Sequence, residues 1–251
     1  MNERQQKIQK IINENGEVKL TELEGLFPEI SSMTIRRDLE KLETLGDVVR
    51  TRCGAKSIAY LARLNEAIYS ERAHTNIAEK TLIAQKAYPL IKEGLSVFLD
   101  SGTTVTSLAN MFTNDKLFVT TAAPNIALEC AKKPNISVFI TGGQLNNNNL
   151  TLSGMNAIGF LDNINIDIAF MATSGFSFGN SFTCGDFEEC RLKKRAIEKA
   201  STVVMLMDSA KCRKSLPFTF ASLSDIDFLV TDDFVDADFI EEVKKYDIEV
   251  R

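Results

Sequence analysis

Small and polar residues cluster where an apolar strand of the sequence meets a helix. Residues 96–100 form a buried-strand pattern that ends in Asp100 and continues as Ser101-Gly102-Thr103-Thr104, before a helical stretch that runs to Phe112. Glycine allows backbone to approach a ligand closely, and the free N–H groups at a helix N-terminus favour anions. Because serine and threonine also cap helices for structural reasons, the pattern by itself only indicates a phosphate cradle.

A second group of residues suited to binding lies near the N-terminus, on a helix that begins at Ser31 or Ser32. Ile35, Leu39 and Leu42 recur at helical spacing and form its buried side. The rest of the helix and its start carry short polar groups and guanidinium groups, which can reach base edges and phosphates. The candidate DNA-binding residues are Ser31, Ser32, Met33, Thr34, Arg36 and Arg37, joined by Arg50 and Arg52 on a following hairpin.

The elements around this helix predict a small separate domain over residues 1–56. An amphipathic helix over residues 3–14 ends at Gly16, and Thr21 is expected to cap a second helix that Pro28 stops. Residues 47–55 form a predicted hairpin with Val48 and Val49 facing inward. Three short helices and a hairpin are typical of a winged helix-turn-helix, although a helical protein-interaction module without DNA has the same periodicity.

The remainder of the chain predicts an α/β domain over residues 75–251, after a linker over 57–74 that lacks glycine and proline in its first part. Strands alternate with helices, which indicates a mostly parallel sheet covered on both faces, with ligands at the carboxyl ends of the strands. The predicted strands are 96–100, 117–120, 136–141, 166–173, 202–208 and 227–231, and the predicted helices are 77–91, 103–112, 125–131, 188–200 and 237–246.

Composition excludes several classes of protein. The net charge is −5, but ten basic side chains balance ten acidic ones in residues 1–58, so a local basic face can still bind DNA. No apolar run is long enough for a membrane helix and no signal peptide is evident, so we expect a cytoplasmic protein without a membrane partner. Five cysteines without CxxC spacing and a single histidine, His74, predict no metal site and no cofactor. The phosphate-binding motifs GxxxxGK and GxGxxG are absent.

The sequence resembles the DeoR-type bacterial repressors. In the first domain the resemblance rests on Thr34-Ile35-Arg36-Arg37-Asp38-Leu39, followed by Leu42-Glu43, Gly46 and Arg50. In the second it rests on Lys80 with Ile83-Ala84, residues 99–104, Gly142-Gly143, Phe170 with Gly175, and Asp208-Ser209-Ala210-Lys211. Two positions depart from the family: Arg52-Cys53-Gly54-Ala55 replaces His-Gly-Gly-Ala, and Thr120-Thr121 replaces Thr-Asn.

The resemblance implies a winged helix-turn-helix joined to a sensor domain that is similar in fold to ribose-5-phosphate isomerase and binds a phosphorylated sugar. It implies that residues 100–104, together with Thr121, bind the phosphate or the sugar hydroxyls. It also implies that Gly142 and Gly143, which lack side chains, let the ligand come close to the backbone. It also implies that Lys193 and Lys211 supply positive charge.

The residues and the resemblance together predict a DNA-binding transcriptional regulator. By analogy with the family, we expect it to repress a carbohydrate-utilisation operon and to bind operator DNA under the control of a sugar phosphate. Paired half-sites imply a homodimer or larger homo-oligomer. The alternative is an enzyme of the sugar-phosphate isomerase type, with Asp100 as base and Lys193 or Lys211 as electrophile. His74 and Asn146-Asn147-Asn148-Asn149 are expected to be exposed and structural.

Overall fold

The computed structural model describes residues 1–57, 67–113 and 115–251, and the chain forms two compact units that divide between Asn65 and Glu66. The predicted linker, 57–74, spans this division, and residues 58–66 of it lie outside the described residues. Its final part differs from the prediction, because Tyr69–Ala73 form a short helix of the second unit. The N–H of Tyr69 donates to the carbonyl of Asn148 at 2.6 Å, which fastens this helix to the unit.

The first unit packs three helices against a three-stranded sheet, in the winged helix-turn-helix arrangement that the sequence predicts. Its core contains Ile8, Ile12, Leu23, Ile35 and Leu42, all fully buried. The strand order is β1-β3-β2, and both pairings are antiparallel. The elements are α1 (Glu3–Asn15), β1 (Glu17–Lys19), α2 (Leu20–Leu26), α3 (Ser32–Thr44), β2 (Val48–Thr51) and β3 (Gly54–Ser57).

Two local predictions for this unit are wrong. Helix α2 begins at Leu20, ahead of the expected cap Thr21, because the N–H of Lys19 donates to the Glu22 carboxylate at 2.9 Å and so fixes an earlier start. Val48 is fully buried, but Val49 is 42% exposed. Successive side chains of a strand point to opposite faces, so two adjacent valines cannot both enter the core.

The second unit is a three-layer α/β domain with an additional small antiparallel sheet. The helix predicted over residues 77–91 is α-helical only as far as Ala87, and Tyr88–Leu90 form a 3₁₀ turn at Pro89. The elements are α4 (Tyr69–Ala73), α5 (Ile77–Ala87), β4 (Ser96–Leu99), α6 (Thr103–Met111), β5 (Leu117–Thr121), α7 (Pro124–Cys130), β6 (Ile136–Ile140), β7 (Gln144–Asn146), β8 (Thr151–Ser153), α8 (Met155–Asp162), β9 (Ile166–Ala172), β10 (Gly175–Ser177), β11 (Ser181–Cys184), α9 (Phe187–Lys199), β12 (Ala200–Met207), β13 (Phe218–Ala221), β14 (Phe228–Thr231), α10 (Ala237–Lys244) and β15 (Glu249–Val250).

The main sheet has seven strands in the order β15-β14-β12-β9-β4-β5-β6, and all its pairings are parallel. Helices α5, α6 and α7 cover one face, while α8, α9 and α10 cover the other. Strands β10, β11 and β13 form the small sheet, and β7 pairs with β8. Such sheets must be buried on both faces, which explains the nearly continuous apolar runs of β9 and β12.

The order of the strands places a topological switch point between β4 and β9. From β4 the chain builds the sheet outward through β5 and β6, then returns to the opposite side of β4 and continues through β9 and β12. Helix α6, which follows β4, packs on one face, whereas α9, which follows β9, packs on the other. The crevice at the carboxyl ends of strands flanking a switch point is the usual ligand site of open α/β sheets. Asp100–Gly102, which directly follow β4, lie on one side of that crevice.

The segment predicted to be an exposed polar loop, residues 146–149, is partly built into the domain. Asn146 ends strand β7, and Asn149 is buried with its amide donating to the Glu189 carboxylate. The tertiary partner explains the difference, since burial of a polar side chain requires hydrogen bonds that the local sequence does not reveal. His74 is exposed, as expected. Within the described part of the chain, no helix is long and apolar enough to cross a membrane.

Candidate functional site

Helix α3 presents a polar and basic side to solvent. The hydroxyl of Ser31 caps its N-terminus by accepting from the Thr34 N–H at 3.2 Å, and Ile35 turns into the core. Arg36 and Arg37 are both exposed, and neither guanidinium has a partner among the described residues. A helix that projects unpaired arginines from a rigid core can place them in a DNA major groove.

The first turn of α3 divides its roles between two neighbouring residues. The hydroxyl of Ser32 donates to the Glu24 carboxylate, which joins α3 to α2. Met33 is 62% exposed and offers apolar surface of the kind that contacts a thymine methyl group. Ser32 therefore has a structural partner already, whereas Met33 is available to a ligand.

The two arginines of the hairpin differ in their partners. The N–H and the Nε of Arg50 donate to the Glu43 carboxylate at 3.0 and 2.7 Å, and these bonds, led by the backbone one, lower the pKa of Glu43. Arg52 is exposed, and the described residues contain no partner for it. With Arg36, both line a cleft of about 390 Å³ between α3 and the hairpin. Arg50 braces the hairpin against α3, and Arg52 is free to meet a phosphate.

The turn of the hairpin, Arg52-Cys53, explains how the chain accommodates a cysteine at position 53. A Cβ on Gly54 would lie 1.9 Å from the Val18 carbonyl oxygen, so this position requires glycine. Cys53 is absent from the residues with left-handed backbone, and its carbonyl accepts from the Leu20 N–H at 2.7 Å. A side chain at position 53 therefore imposes no backbone strain.

One structural residue of α3 lies outside the predicted set. Asp38 is buried and accepts hydrogen bonds from the Nε of Arg4 at 2.5 Å and the Nε2 of Gln5 at 2.9 Å. These bonds hold α1 against α3. An aspartate beside Leu39 on the inner side of an amphipathic helix is the signal that could have identified it.

The strand-to-helix junction after β4 has the geometry of an anion cradle. Gly102 is the N-cap residue of α6, and its φ of +128° is a conformation that only glycine adopts easily. No side chain caps this nine-residue helix, so its first N–H groups have no intrahelical acceptor and no capping oxygen. Ser101, Thr103 and Thr104 place buried hydroxyl-bearing side chains around the junction.

Asp100 and Lys193 meet below this junction in a buried charge network. The ammonium of Lys193 donates to Asp100 Oδ2, to the Ala172 carbonyl at 3.0 Å, and lies 3.1 Å from a Glu189 oxygen. Asp100 also accepts the N–H groups of Ser101 and Ala172, at 2.8 and 2.9 Å. Burial alone would lower the pKa of Lys193, but the two carboxylates raise it above its ordinary value.

This network changes the part that Asp100 and Lys193 can play. Lys193 is 2% exposed and has a partner for each of its three N–H groups, and Asp100 is 1% exposed with both oxygens accepting protein donors. Two carboxylates around one ammonium leave a net charge of −1, which does not attract a phosphate. The pair joins β4, β9 and α9 at the switch point and so positions the junction above it.

The remaining predicted glycines and Thr121 lie along the same edge of the sheet. Leu99 pairs with Thr121 and Thr121 with Ile140, so the ends of β4, β5 and β6 are level. Thr121 Oγ1 accepts from the Ala123 N–H at 3.0 Å. Gly142 and Gly143 follow β6 with φ of +71° and +106°.

Lack of space for a side chain explains why one of these two positions, 143, is a glycine. A Cβ on Gly143 would lie 2.4 Å from the Ser153 carbonyl oxygen, whereas nothing lies within 4 Å of one on Gly142. Residues 100–104, Thr121 and Gly142-Gly143 are thus brought to one edge of the sheet.

Lys211 lies farther along that edge, beside a buried carboxylate that the candidate set omitted. It closes a 3₁₀ turn, Ser209–Lys211, after Asp208 at the end of β12. Both oxygens of Asp208 are buried, and no described group forms a hydrogen bond with them. Burial lowers the pKa of Lys80 to about 8, an effect that Asp208 opposes and Lys211 increases. Asp208 ends an apolar strand as Asp100 does, which is the sequence signal that could have selected it.

Comparison with known families gives two matches that together cover most of the chain. Residues 4–60 match the DeoR-like helix-turn-helix domain, and residues 75–233 match the DeoR C-terminal sensor domain. The α3 face and the junction after β4 fall within these two matches respectively.

Curated relatives align along nearly their whole length. An uncharacterized HTH-type transcriptional regulator of Bacillus subtilis, YulB, is 36% identical over 93% of this chain and 90% of its own. The lactose phosphotransferase system repressor of Streptococcus mutans is 32% identical over 97% and 96%. A solved structure, ribose 5-phosphate isomerase A of Methanocaldococcus jannaschii, aligns with 55% of each chain at 18% identity and a TM-score of 0.42.

Proposed function

The chain belongs to the DeoR family of helix-turn-helix transcriptional regulators, and from that premise we propose that it represses a carbohydrate-utilisation operon and that a phosphorylated sugar modulates its binding to operator DNA. The curated relatives include proteins named as repressors of an aga operon and of a lactose phosphotransferase system. The observation that carries the proposal is that one chain contains both features: α3 of the first unit exposes two arginines, and α6 of the second unit has an uncapped N-terminus at the switch point of the sheet.

DNA recognition is assigned to α3 and the hairpin. Arg36, Arg37 and Met33 offer groups for base edges, while Arg52 and the N-terminus of α3 offer positive charge for phosphates. Arg50 orients the hairpin through Glu43, and Ser31, Ser32 and Thr34 shape the first turn of the helix. Two copies of the unit, in a homodimer or larger homo-oligomer, would read paired half-sites.

The phosphate of the effector is assigned to the N–H groups of Gly102, Thr103 and Thr104, which need an acceptor and lie at the positive end of the α6 dipole. Sugar hydroxyls are assigned to the carboxyl end of β12, which β9 separates from β4. Asp208 offers two unpartnered carboxylate oxygens there, and Lys211 offers a half-buried ammonium. Lys193 and Asp100 take a positioning role beneath this site.

A thermal-shift experiment tests the sugar-phosphate assignment. We expect at least one of ribose 5-phosphate, glucose 6-phosphate, fructose 1-phosphate and fructose 6-phosphate to stabilise the full-length protein, by about 2.7 kcal/mol at 100 times its dissociation constant. The corresponding phosphate-free sugars should bind far more weakly. Failure of all four phosphates to bind in calorimetry would contradict the proposal for this set of sugars.

Gly102→Val locates the site. Its side chain would occupy the junction, where even a Cβ lies 3.2 Å from the Ala172 Cβ at a φ that valine does not adopt. The matched control is Gly179→Val, because nothing lies within 4 Å of a Cβ at Gly179 and its φ is not left-handed. We expect Gly102→Val alone to lose sugar-phosphate binding while operator binding persists. Wild-type affinity in Gly102→Val would place the ligand elsewhere.

The same samples test the isomerase alternative. An enediol mechanism needs a carboxylate that is free to take a proton, and both oxygens of Asp100 already accept protein donors. We therefore expect no conversion of ribose 5-phosphate to ribulose 5-phosphate. Turnover that Asp100→Asn abolishes would favour the enzyme.

A further inference from the structure

Two chains of hydrogen bonds lead away from the cradle and end on the same residue, Tyr69. The first begins at Gly102, whose carbonyl accepts from the Thr106 N–H at 3.0 Å and from the Thr106 hydroxyl at 2.9 Å. Thr106 Oγ1 then lies 3.0 Å from the Tyr69 hydroxyl. The Nδ2 of Asn125 donates to the Tyr69 oxygen at 2.9 Å and also approaches Thr106, at 3.2 Å.

Counting protons gives this first chain a direction. A threonine hydroxyl has one proton, and Thr106 places it on the Gly102 carbonyl. In the hydrogen bond between the two hydroxyls, Tyr69 is therefore the donor and Thr106 the acceptor. The tyrosine oxygen in turn accepts from the side-chain amide of Asn125. Phenylalanine at position 69 would leave the Thr106 oxygen without that donor and the Asn125 amide without its acceptor there.

The second chain begins at Asp100 and passes through the buried network. Lys193 joins Asp100 to Glu189, and Glu189 accepts from the amide of Asn149. The preceding residue, Asn148, offers its carbonyl to the Tyr69 N–H at 2.6 Å. Asp100, beneath the cradle, and Gly102, at its start, are thus connected to the backbone and to the side chain of one tyrosine, respectively.

Tyr69 begins α4, in the segment that follows residues 58–66 and leads into the sensor domain. We name residues 68–75 the anchor segment. Its far end is held by the buried ammonium of Lys80, which donates to the carbonyls of Arg72 and Thr75. The anchor segment is thus fastened at one end by Lys80 and at the other by bonds that depend on the position of the cradle.

We propose that Tyr69 couples occupancy of the cradle to the anchor segment, and thereby to DNA binding by the first unit. The inference rests on the proposed function, since it assumes an anion on the first N–H groups of α6. A ligand there changes the position of Gly102 and of the first turn of α6, and the hydroxyl of Thr106 transmits the change to Tyr69. Couplings between two ligand sites commonly change affinity by about 5–150-fold, and the change is reciprocal.

The main test measures coupling in three full-length proteins: the wild type, Tyr69→Phe and the control Tyr88→Phe. Tyr88 donates its hydroxyl to Asp115 at 2.7 Å and takes no part in either chain, so the control loses the same kind of hydrogen bond elsewhere. The DNA is a duplex that the wild-type protein selects from a random pool. The probes are the four sugar phosphates named above, each added at saturation as judged by calorimetry.

We expect Tyr69→Phe to bind the duplex and the sugar phosphate within about threefold of the wild type. The ratio of DNA affinities with and without sugar phosphate should fall toward 1, from a starting value in the usual range of about 5–150, because only the backbone bond to Asn148 remains. Tyr88→Phe should keep the wild-type ratio. A wild-type ratio in Tyr69→Phe overturns the inference. A wild-type protein that binds none of the sugar phosphates counts against the proposed function instead.

Amide hydrogen exchange of the ligand-free protein tests whether the Tyr69 hydroxyl stabilises this chain of hydrogen bonds. Loss of the Tyr69 hydroxyl should speed exchange at the Thr106 and Tyr69 amides by about threefold or more, because local opening there becomes easier. Tyr88→Phe should leave both unchanged, and equal protection in Tyr69→Phe overturns the inference. If Tyr69→Phe does not fold, Thr106→Val and Thr106→Ser replace it. Serine keeps the hydroxyl and should retain the coupling ratio and the protection, whereas valine should lose both.

Discussion

Replacing Lys193 with methionine should destabilise the sensor domain far more than a surface substitution. Methionine keeps the length of the side chain but removes the ammonium that lies between Asp100 and Glu189, which are 1% and 3% exposed. Removing one partner of a buried ion pair typically costs about 3–5 kcal/mol, because the remaining charge stays buried without compensation. For a domain of this size, that corresponds to a fall in melting temperature of about 6–20 °C.

Urea denaturation followed by circular dichroism at pH 7 measures this loss of stability. Lys194→Met is the matched control, since Lys194 is the next residue of the same helix and is exposed. Its cost should stay within about 0.5 kcal/mol. If Lys193→Met costs no more than Lys194→Met at pH 7, the buried charge network is not what holds β4, β9 and α9 together, and the reasoning fails.

Three further outcomes follow from the geometry. Arg36→Ala or Arg37→Ala should weaken operator binding at fixed salt by about 1–3 kcal/mol if the side chain reads a guanine; unchanged affinity in both, measured by fluorescence anisotropy, would remove α3 from the DNA interface. Lys80 has a pKa of about 8 instead of its ordinary 10.5, so the unfolded state binds more protons between these values. The stability of the wild type relative to Lys80→Met should accordingly rise with pH across that window, by up to about 1.4 kcal/mol per pH unit, and a flat difference in melts from pH 7 to pH 10 would argue against a depressed pKa. Light scattering should report at least a dimer; a mass of 27.9 kDa both free and on DNA would show a monomer.

Local patterns were sufficient to predict most elements and both candidate surfaces. Ile35, Leu39 and Leu42 recur at helical spacing, and burial of that side leaves Arg36 and Arg37 in solvent whatever the rest of the fold does. The cradle was predictable for a similar reason. An apolar strand that ends in a small polar run before a helix forms a strand-to-helix junction through contacts between near neighbours.

Prediction failed where a residue's partner comes from elsewhere in the chain. Val49 looked apolar enough for the core, but the pairing of β2 with β3 turns it outward. Asn149 looked like part of an exposed polar loop, yet it lies against Glu189, forty residues later. Nothing in the neighbourhood of either residue specifies these contacts.

The sequence by itself determined the two units, six of the seven strands of the main sheet, the exposed face of α3 and the junction at Gly102, because periodicity, capping and turn chemistry act over a few residues. Only the tertiary structure decided which charges are available to a ligand. Sheet order places Lys193 against Asp100, 93 residues away, and so converts an expected ligand-binding cation into a buried positioning group. It leaves Asp208 without a hydrogen-bond donor among the described residues. A side chain's charge is encoded locally, whereas its partner depends on which strands are neighbours in the sheet.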